Sequence, residues 1–442
     1  MSSQPSMLLF LEFNEINFEF VERYCAAGRL PNFAQVLREN GLQRTTSESS
    51  YELLEPWIQW VTAHTGKTFD EHKVFRLGDI VGQDLPQIWE QLEARGMRVG
   101  AISPMNAKHR LRDPAFFVPD PWTKTSVSAS PSLKRLYNAI AQAVNENATR
   151  RVTFASFAGL LSGFLRYASP ANWGRYLGWA LTAPKRRWRG ALLLDQLLAD
   201  VFIGEVRRTK PNFATLFLNA GAHIQHHYMF SSAVYSGPHR NPDWYITAGI
   251  DPVIEVYELY DSILGKVRKA NPEARIMIAT GLHQQPFGHL KFYWRLRDHA
   301  GFLTRLGIGF SRVEPLMSRD FLIVLPDEAQ ARTAAETLAG VVAADGTPIF
   351  EVDNRGKDLF VMLTYPHDIP AGSTIRLGSS LVPFREEVAF VAIKNGEHDG
   401  IGYFVDTASR LDPGAAPFPL RHMPTIVTEA MFGRAAPKGQ PN

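Results

Sequence analysis

The sequence predicts an α/β protein: a doubly wound, mostly parallel sheet with helices on both faces, plus a helical insertion and a small α+β cap. Two observations carry this prediction. Short apolar runs alternate with amphipathic segments, which is the pattern of a parallel sheet covered on both sides. The chain has 442 residues, of which 45% are hydrophobic and 21% charged, so it is long enough to bury the core that such a sheet requires.

Five apolar runs are predicted as strands of this sheet. In chain order they are MLLFLEF from Met7, RVGAIS from Arg98, FATLFLNAG from Phe213, ARIMIATG from Ala274 and VAFVAIKN from Val388. Helices are predicted between them, among them LPNFAQVLREN, LPQIWEQLEARG and VIEVYELYDSILGKVRKA. The second of these helices is expected to stop at Gly96, because glycine commonly ends a helix.

Two segments interrupt the alternation and divide the chain. Residues 1–124, 206–289 and 388–442 are predicted to form the α/β core. Residues 125–205 are predicted to be a helical, basic and aromatic insertion. Residues 290–387, with the strand-like runs FLIVLP and DLFVMLTY, are predicted to be the small α+β cap.

The totals exclude several classes of protein. A formal net charge of +3 is small for 442 residues, and no nucleic-acid module is found, so nucleic acid is not an expected partner. Cys25 is the only cysteine, which excludes an internal disulfide and a thiolate zinc cluster and fits a reducing compartment. The N-terminal segment has no basic region, and its apolar run is interrupted by Glu12. No apolar stretch reaches the ~20 residues that cross a bilayer, so we expect a cytoplasmic protein.

Polar residues and histidines gather after the predicted strands. In chain order these are Asn14 and Glu15, then His223, His226 and His227, then Thr280 and His283, and then Glu397, His398 and Asp399. In an open α/β sheet, ligands bind at the carboxyl ends of the strands. We therefore expect the functional site at this edge of the sheet.

Five segments, in order along the chain, resemble the alkaline phosphatase superfamily, in particular its type I phosphodiesterase/nucleotide pyrophosphatase-like branch. They are LEFNEINFEFVERYCAAGRLPNFAQVLRENG, WVTAHTGKTFDEHKVF, GAHIQHHYMF, IATGLHQQP, and EHDGIGYFV with RHMPTIVTEAMFG. The resemblance covers both ends and the middle of the chain but neither of the two interrupting segments. It implies two-metal phosphoryl or sulfuryl transfer, in which two divalent ions ~4 Å apart activate a Ser, Thr or modified Cys nucleophile.

The chain departs from the family's pattern in a regular way. The aspartate ligands of the family are all replaced, and its histidine ligands are all retained. The replacements are Asn14, Ala222 and Leu282, and the retained histidines are His226, His283 and His398. The position of the nucleophile holds Pro56, or Glu55 if the loop is shifted by one residue, so a phosphoenzyme on a hydroxyl is not expected.

The retained histidines imply a different metal site. Two divalent ions need carboxylates to neutralise four positive charges, and too few remain. Three neutral imidazoles would instead hold one divalent ion, with zinc expected first and manganese or iron as alternatives, and would leave a position for water or substrate. A carboxylate serving as ligand or general base is expected from one of four residues, Glu12, Glu15, Glu55 or Glu397.

Glu55 and Asn14 are the predicted catalytic residues. Glu55 could bind the metal, act as a base on water or attack directly, although its place before Pro56 is also explained by an extended turn. Asn14 could donate a hydrogen bond to a ligand oxygen or simply shape the turn. The alternative for the histidines is that they are polar residues left on an inactivated scaffold.

The helical insertion combines basic and aromatic residues and lacks acids. No acidic residue occurs between Glu146 and Asp195. The basic residues there include Arg150, Arg151, Arg166, Arg175, Lys185, Arg186, Arg187 and Arg189. Because guanidinium groups suit phosphate and sulfate, Arg186, Arg187 and Arg189 are predicted to bind an anionic substrate. Residues 150–190 also suit peripheral contact with an anionic membrane, and the alternative is a solvated face that packs against the acidic helix VIEVYELYD.

Three functions from different classes follow. The first is a metal-dependent enzyme, a hydrolase or transferase, acting on an anionic phospho- or sulfo-ester of a glycan or lipid intermediate. The second is a non-hydrolytic three-histidine metalloenzyme, such as a lyase, isomerase or redox enzyme. The third is an inactive protein that binds an anionic ligand or a partner. The hydrolase is favoured because the chemistry of the resembled family favours it.

Overall fold

The computed structural model describes residues 7–145, 154–316, 319–377 and 380–433, so Arg150 and Arg151 lie outside the described residues. The strands are β1 (Leu8–Phe13), β2 (Gln43–Thr46), β3 (Val99–Ile102), β4 (Phe116–Val118), β5 (Phe213–Leu218), β6 (Arg275–Ala279), β7 (His283–Leu296), β8 (Arg312–Pro315), β9 (Asp320–Val324), β10 (Val342–Ala343), β11 (Phe350–Asn354), β12 (Asp358–Leu363), β13 (Thr374–Leu377), β14 (Ser380–Pro383), β15 (Val388–Asp399), β16 (Ile401–Asp406) and β17 (Phe418–Pro419).

The α-helices alternate with these strands. They are α1 (Phe18–Ala26), α2 (Pro31–Asn40), α3 (Pro56–Thr65), α4 (Phe69–His72), α5 (Ile88–Glu93), α6 (Pro131–Asn145), α7 (Phe154–Tyr167), α8 (Trp173–Thr182), α9 (Arg189–Thr209), α10 (Ala220–Tyr228), α11 (Pro252–Ala270), α12 (His299–Arg305), α13 (Glu328–Ala339), α14 (Phe384–Glu387) and α15 (Met423–Phe432). Among these described helices, none has the length and hydropathy that a bilayer crossing requires.

The main sheet has eight strands in the order β17-β2-β16-β6-β1-β5-β3-β4. Strands β6, β1, β5, β3 and β4 are parallel to one another, and β16 runs antiparallel to β6 and β2. Every residue of β1 and β5 is buried, which explains why these strands are continuous apolar runs. The predicted doubly wound, mostly parallel α/β fold is confirmed.

Helices cover both faces of this sheet. On one face, Leu8 and Phe10 of β1 pack in a core with residues of α3, α5 and α15. On the other face, Phe13 of β1 stacks on Tyr260 of α11 and meets Phe33 of α2 edge-on. The alternation of side chains along β1 therefore sets which helices each residue meets.

One predicted strand does not lie in the main sheet. VAFVAIKN forms the beginning of β15, which pairs with β7 in a two-stranded sheet. The place beside β6 is taken by β16, whose pattern of burial is nearly continuous, whereas β15 is only partly buried. The prediction of VAFVAIKN as a core strand was wrong, because an apolar run does not identify its pairing partner.

The chain forms two compact units. The first contains the described residues up to Ser236, Thr247–Gln285 and those from Gly396 onward, and the second contains Gly237–Ile246 and Pro286–Asn395. The second unit has its own apolar core and two antiparallel sheets, β11-β12-β9-β8 and β10-β13-β14. The described part of the predicted insertion at 125–205 lies in the first unit, and α9 continues past its predicted end to Thr209.

Candidate metal centre

Glu15 occupies the turn directly after β1, at the carboxyl edge of the sheet. Its backbone has a φ of 60°, a left-handed conformation that is uncommon for a residue other than glycine. The backbone is held by three residues of two segments: Glu15 N–H donates to Thr280 O at 3.1 Å, and Glu15 O accepts from Gln284 N–H at 3.1 Å and from Gln225 Nε2 at 2.6 Å. Such conformations persist where the surrounding structure fixes them, and they cluster at functional sites.

The carboxylate of Glu15 meets two of the predicted metal-binding histidines. Its Oε2 lies 3.0 Å from His398 Nε2 and 3.3 Å from His226 Nε2. The two imidazole Nε2 atoms are themselves 3.3 Å apart. Among the described residues, Glu15, His226 and His398 form the one group whose ligand atoms lie close enough to hold a metal ion, all within 4.8 Å of one another.

The spacing of these atoms fits one ion. Tetrahedral zinc with bonds of about 2.0–2.1 Å to nitrogen and oxygen separates its ligand atoms by roughly 3.4 Å, close to the 3.0–3.3 Å observed here. Two facing imidazole nitrogens and a carboxylate are also the donor types that zinc and other late divalent ions prefer. The carboxylate is 2% exposed, whereas His226 is 34% exposed, so the centre is fixed on one side and accessible on the other.

The charge of the carboxylate is favoured despite its burial. Burial by itself raises the pKa of Glu15. The charge of His398 and the hydrogen bonds from His226 and His398 outweigh this effect and hold the pKa well below its usual range. An ionised carboxylate is the form that binds a metal.

Asn14 positions Glu15 from behind. Its Nδ2 donates one hydrogen bond to Glu15 Oε1 at 3.0 Å and another to Asn219 Oδ1 at 2.8 Å, and its Oδ1 accepts from Trp60 Nε1 at 2.7 Å. Asn14 is 1% exposed. Because both amide hydrogens already have acceptors, these contacts suit a residue that positions Glu15, and the catalytic role of Asn14 stays a prediction.

Gln284 and Asn219 belong to the same network, and the sequence prediction missed both. The Gln284 Nε2 donates to Glu15 Oε2 and, at 3.0 Å, to Ala222 O. Both residues directly follow or closely follow a strand of the main sheet, so the rule that pointed to Glu15 and His226 could have included them. The sequence prediction named the uncharged residues Asn14 and Thr280 at this edge but neither Gln284 nor Asn219.

Glu55 lies beside His398, on the side away from Glu15. Its Oε2 is 3.8 Å from His398 Nδ1. Glu55 is the N-cap residue of α3 with an extended backbone, and Pro56 is the first residue of the helix, as expected for a residue before proline. The structure therefore places the predicted catalytic carboxylate beside a predicted metal-binding histidine, and the side chain of Glu55 is 36% exposed.

His283 lies outside the group of three. Its Nδ1 is 2.6 Å from Ile401 O and 3.7 Å from Asp399 Oδ1, and it is buried. Burial lowers the pKa of His283, an effect only partly opposed by its hydrogen bond to Ile401 and the charge of Asp399. Among the described residues the group of three contains Glu15 and not His283, and the role of His283 as a metal ligand stays a prediction.

The other predicted carboxylates have different contacts. Glu12 lies in the core, where its Oε1 is 3.2 Å from His64 Nε2 and accepts from Thr215 Oγ1 at 2.6 Å. Glu397 accepts from Gln285 Nε2 at 3.2 Å. Neither belongs to the metal group of the described residues.

Two of the three predicted anion-binding arginines form ion pairs with an acidic side chain. Arg189 Nη2 and Arg186 Nη1 lie 2.8 and 3.4 Å from Glu255 Oε1 on α11, and Trp188 Nε1 donates to Glu255 Oε2 at 3.1 Å. Glu255 belongs to the segment VIEVYELYD, so the alternative of packing against that helix describes these two arginines. Arg187 is exposed, and its role in substrate binding stays a prediction.

No family model and no curated protein matches the chain. Solved structures match over nearly its whole length. They include phosphonoacetate hydrolase from Sinorhizobium meliloti 1021 in complex with phosphonoacetate, with 13% identity, coverage of 97% of this chain and 96% of that one, and a TM-score of 0.43. Human ectonucleotide pyrophosphatase/phosphodiesterase 5 has 10% identity, coverage of 98% and 96%, and a TM-score of 0.45. TAB5 alkaline phosphatase with bound Mg has 10% identity, coverage of 97% and 98%, and a TM-score of 0.40.

The names of these matched structures agree with the resemblance to the alkaline phosphatase superfamily that the sequence predicts. Identities of 10–13% and TM-scores below 0.5 are too low to carry an activity, a ligand or a site residue over to this chain. The chemistry of the centre must therefore be argued from its own residues: a buried anionic carboxylate, two converging imidazoles and a second carboxylate within reach.

Proposed function

We propose that the protein is a metal-dependent hydrolase or transferase acting on an anionic phospho- or sulfo-ester, with one divalent ion held by Glu15, His226 and His398. The observation that carries the proposal is the convergence of three ligand atoms within 4.8 Å at the carboxyl edge of the sheet. Two histidines, one carboxylate and an open fourth position are typical of catalytic zinc sites. Zinc is expected first, with manganese or iron as alternatives.

A divalent ion at this centre would supply Lewis acidity to an ester oxygen and to water. The chain's own residues supply the rest. Asn14 and Gln284 fix the carboxylate of Glu15 through hydrogen bonds, as outer-shell partners of metal ligands commonly do. Glu55, at the start of α3 and beside His398, is proposed as the general base that takes a proton from the attacking water or acceptor hydroxyl.

The substrate is proposed to be an intermediate with an apolar part, as in a lipid-linked glycan. A cavity of about 40 Å³ is lined mostly by apolar residues of β3, β4, β5, α6 and α9, together with polar side chains that include Asn219, Asp195 and Tyr137. Asn219 accepts the hydrogen bond of Asn14, so the cavity is linked to the metal centre by two residues. A volume of about 40 Å³ suits a short alkyl segment, because one water-sized group needs roughly 10–15 Å³. A cytoplasmic or membrane-surface location would fit such a substrate.

Metal content tests the centre directly. Elemental mass spectrometry of untagged protein is expected to find about one equivalent of zinc, manganese or iron. The double variant His226→Ala/His398→Ala should lose the ion, since two of its three ligands are removed. The variants His283→Gln and His283→Ala should retain the ion. Loss of the ion in His283→Ala would instead support the three-histidine site. If no form of the protein contains metal after incubation with divalent ions, the remaining function is that of an inactive protein that binds an anionic ligand or a partner.

Turnover separates a hydrolase from the other enzymes. Wild-type protein is screened with bis(p-nitrophenyl) phosphate, p-nitrophenyl phosphate and p-nitrophenyl sulfate. Glu55→Gln should retain the ion and lower kcat by roughly 10²–10⁴-fold, the usual contribution of a general base. A metal-loaded protein without turnover on any of these esters would favour the non-hydrolytic metalloenzyme, and unchanged kcat in Glu55→Gln would remove Glu55 from the mechanism.

A further inference from the structure

The outer faces of two consecutive helices are apolar and exposed. Leu161 and Leu165 lie one turn apart on α7, and Trp173, Leu177 and Leu181 lie at successive turns of α8. Each of these five residues, which form what we term the α7–α8 surface, is 47% to 72% exposed. Large apolar residues repeated at helical spacing on an exposed face are typical of a surface that binds a partner.

The inner faces of both helices are already committed to the protein. Gly163 of α7 packs directly against Leu136 of α6. Phe164 of α7 meets Tyr176 of α8 at 4.8 Å between ring centroids, and Tyr176 OH donates to Asp200 Oδ2 of α9 at 2.9 Å. Because these contacts fix the rotation of each helix, the α7–α8 surface faces away from the core.

The charged residues within α7, α8 and the segment that leads to α9 are all basic. Arg166, Arg175, Lys185 and Arg187 are exposed, and the sequence contains no acid between Glu146 and Asp195. In the described part of the chain, no ion pair involves Arg166, Lys185 or Arg187, whereas Arg186 and Arg189 are neutralised by Glu255. The positive charge beside the apolar residues is therefore available to an anionic partner.

We propose that the α7–α8 surface binds a membrane that contains anionic lipids. Leucine and tryptophan side chains would enter the boundary between headgroups and acyl chains, as in helices that lie in the plane of a membrane. Tryptophan favours that boundary, and arginine and lysine at its edge are attracted to anionic headgroups. This inference rests on the surface itself and does not depend on the reaction at the metal centre.

A second copy of the chain fits the surface less well. A two-fold contact would place the same patch of both copies face to face. Arg166, Arg175 and Lys185 would then approach their own counterparts, and like charges across an interface are destabilising. An anionic bilayer satisfies both the apolar residues and the basic ones.

Vesicle sedimentation tests the proposal with the full-length protein. Vesicles of phosphatidylcholine alone are compared with vesicles that contain about one third phosphatidylglycerol. We expect wild-type protein to sediment with the anionic vesicles only. Raising the NaCl concentration to about 0.5 M should release it, because salt screens the attraction between charges. Leu177→Ser/Leu181→Ser and Lys185→Glu/Arg187→Glu should each weaken binding by at least roughly tenfold.

Leu381→Ser is the matched control, because Leu381 is 63% exposed but lies in the second unit. It should sediment like wild type, and circular dichroism should show all variants folded. Wild-type protein that stays in the supernatant, or variants of the α7–α8 surface that bind as wild type does, would overturn the proposal. So would a dimer in light scattering that Leu177→Ser/Leu181→Ser converts to a monomer, because the surface would then be an interface between copies.

Discussion

Asp195 is a carboxylic acid in an almost wholly buried place on α9. Its Oδ2 accepts hydrogen bonds from Tyr260 OH at 2.6 Å and from Ala220 N–H at 2.8 Å. Burial raises the pKa of Asp195 to about 6, although the hydrogen bonds from Tyr260, Ala220 and Asn219 oppose the effect. The protonated form is therefore favoured in the folded state relative to the unfolded chain.

Asp195→Asn should change how stability depends on pH. A raised folded-state pKa contributes stability that is complete below the unfolded pKa of about 4 and is lost as pH rises through about 6. Asparagine keeps the acceptor oxygen without ionising. Between pH 4 and 7, urea unfolding should show the variant gaining up to about 3 kcal/mol relative to wild type.

Asp113→Asn, at an exposed position, is the control for removing one carboxylate. If the free energies of unfolding of wild type and Asp195→Asn differ by the same amount from pH 4 to 7, the pKa of Asp195 is not raised in the folded state. If the variant gains stability relative to wild type as pH falls, the pKa of Asp195 is lowered instead.

For the metal centre, the sequence predicted that histidines and a carboxylate would meet, but not which carboxylate would lie among the ligand atoms. His226, His398 and Glu55 come together as expected. Glu15 was one of four candidate carboxylates, and what selects it is its φ of 60°, which aims the side chain at the histidines. Left-handed backbone at a glutamate has no sequence signal, so this choice required the structure.

The packing of α6 against α7 depends on glycine. A Cβ at Gly163 would lie 2.5 Å from Leu136 Cδ1 and 2.9 Å from Leu136 Cβ, closer than real carbon atoms approach. A Cβ at Gly178, in the interior of α8, would meet no neighbouring atom within 4 Å. The two glycines are therefore matched in helical setting and opposite in packing.

Gly163→Ala should lower the free energy of unfolding by about 1–3 kcal/mol, because overpacking forces the helices apart. Gly178→Ala should raise it by up to about 0.5–1 kcal/mol, because alanine favours a helix interior over glycine. Urea unfolding of both variants checks the pair. Equal gains at both positions would mean that α6 and α7 do not pack as closely as described.

At the scale of elements, hydrophobic patterning located β1, β3, β5 and β6 but misplaced the strand VAFVAIKN. That run and its successor β16 are both apolar, and only the hydrogen-bonded register shows that β16 pairs with β6. Patterning reports burial, whereas pairing is decided by tertiary contacts. The polar residues that follow the strands were a better guide to the site than the apolar runs were to strand order. The carboxyl edge of a parallel sheet brings such residues together whatever the order of its outer strands.

For the whole molecule, the α/β class followed from composition and alternation, because a chain of this length with buried apolar strands has few other ways to fold. The boundaries of the two units did not follow. Residues Gly237–Ile246 belong to the second unit although they lie far from Pro286–Asn395 in the sequence, and a short segment that crosses between units leaves no periodic pattern to detect.

All three proposed metal ligands, Glu15, His226 and His398, lie in the first unit. They come from three segments separated by more than a hundred residues, so an ion bound to the folded state alone would oppose the unfolding of that unit only. At a free ion concentration about 100 times Kd, binding adds roughly 2.7 kcal/mol, which raises a transition of this size by roughly 3–6 °C.

Differential scanning calorimetry with and without zinc should therefore show one transition moving upward while the other stays in place. In His226→Ala/His398→Ala neither should move, and in His283→Ala the shift should persist. A shift of the second unit's transition alone would place the ion elsewhere in the chain. A single transition that moves upward with zinc would mean that the two units unfold as one, and the stabilisation by the ion would then be shared by the whole molecule.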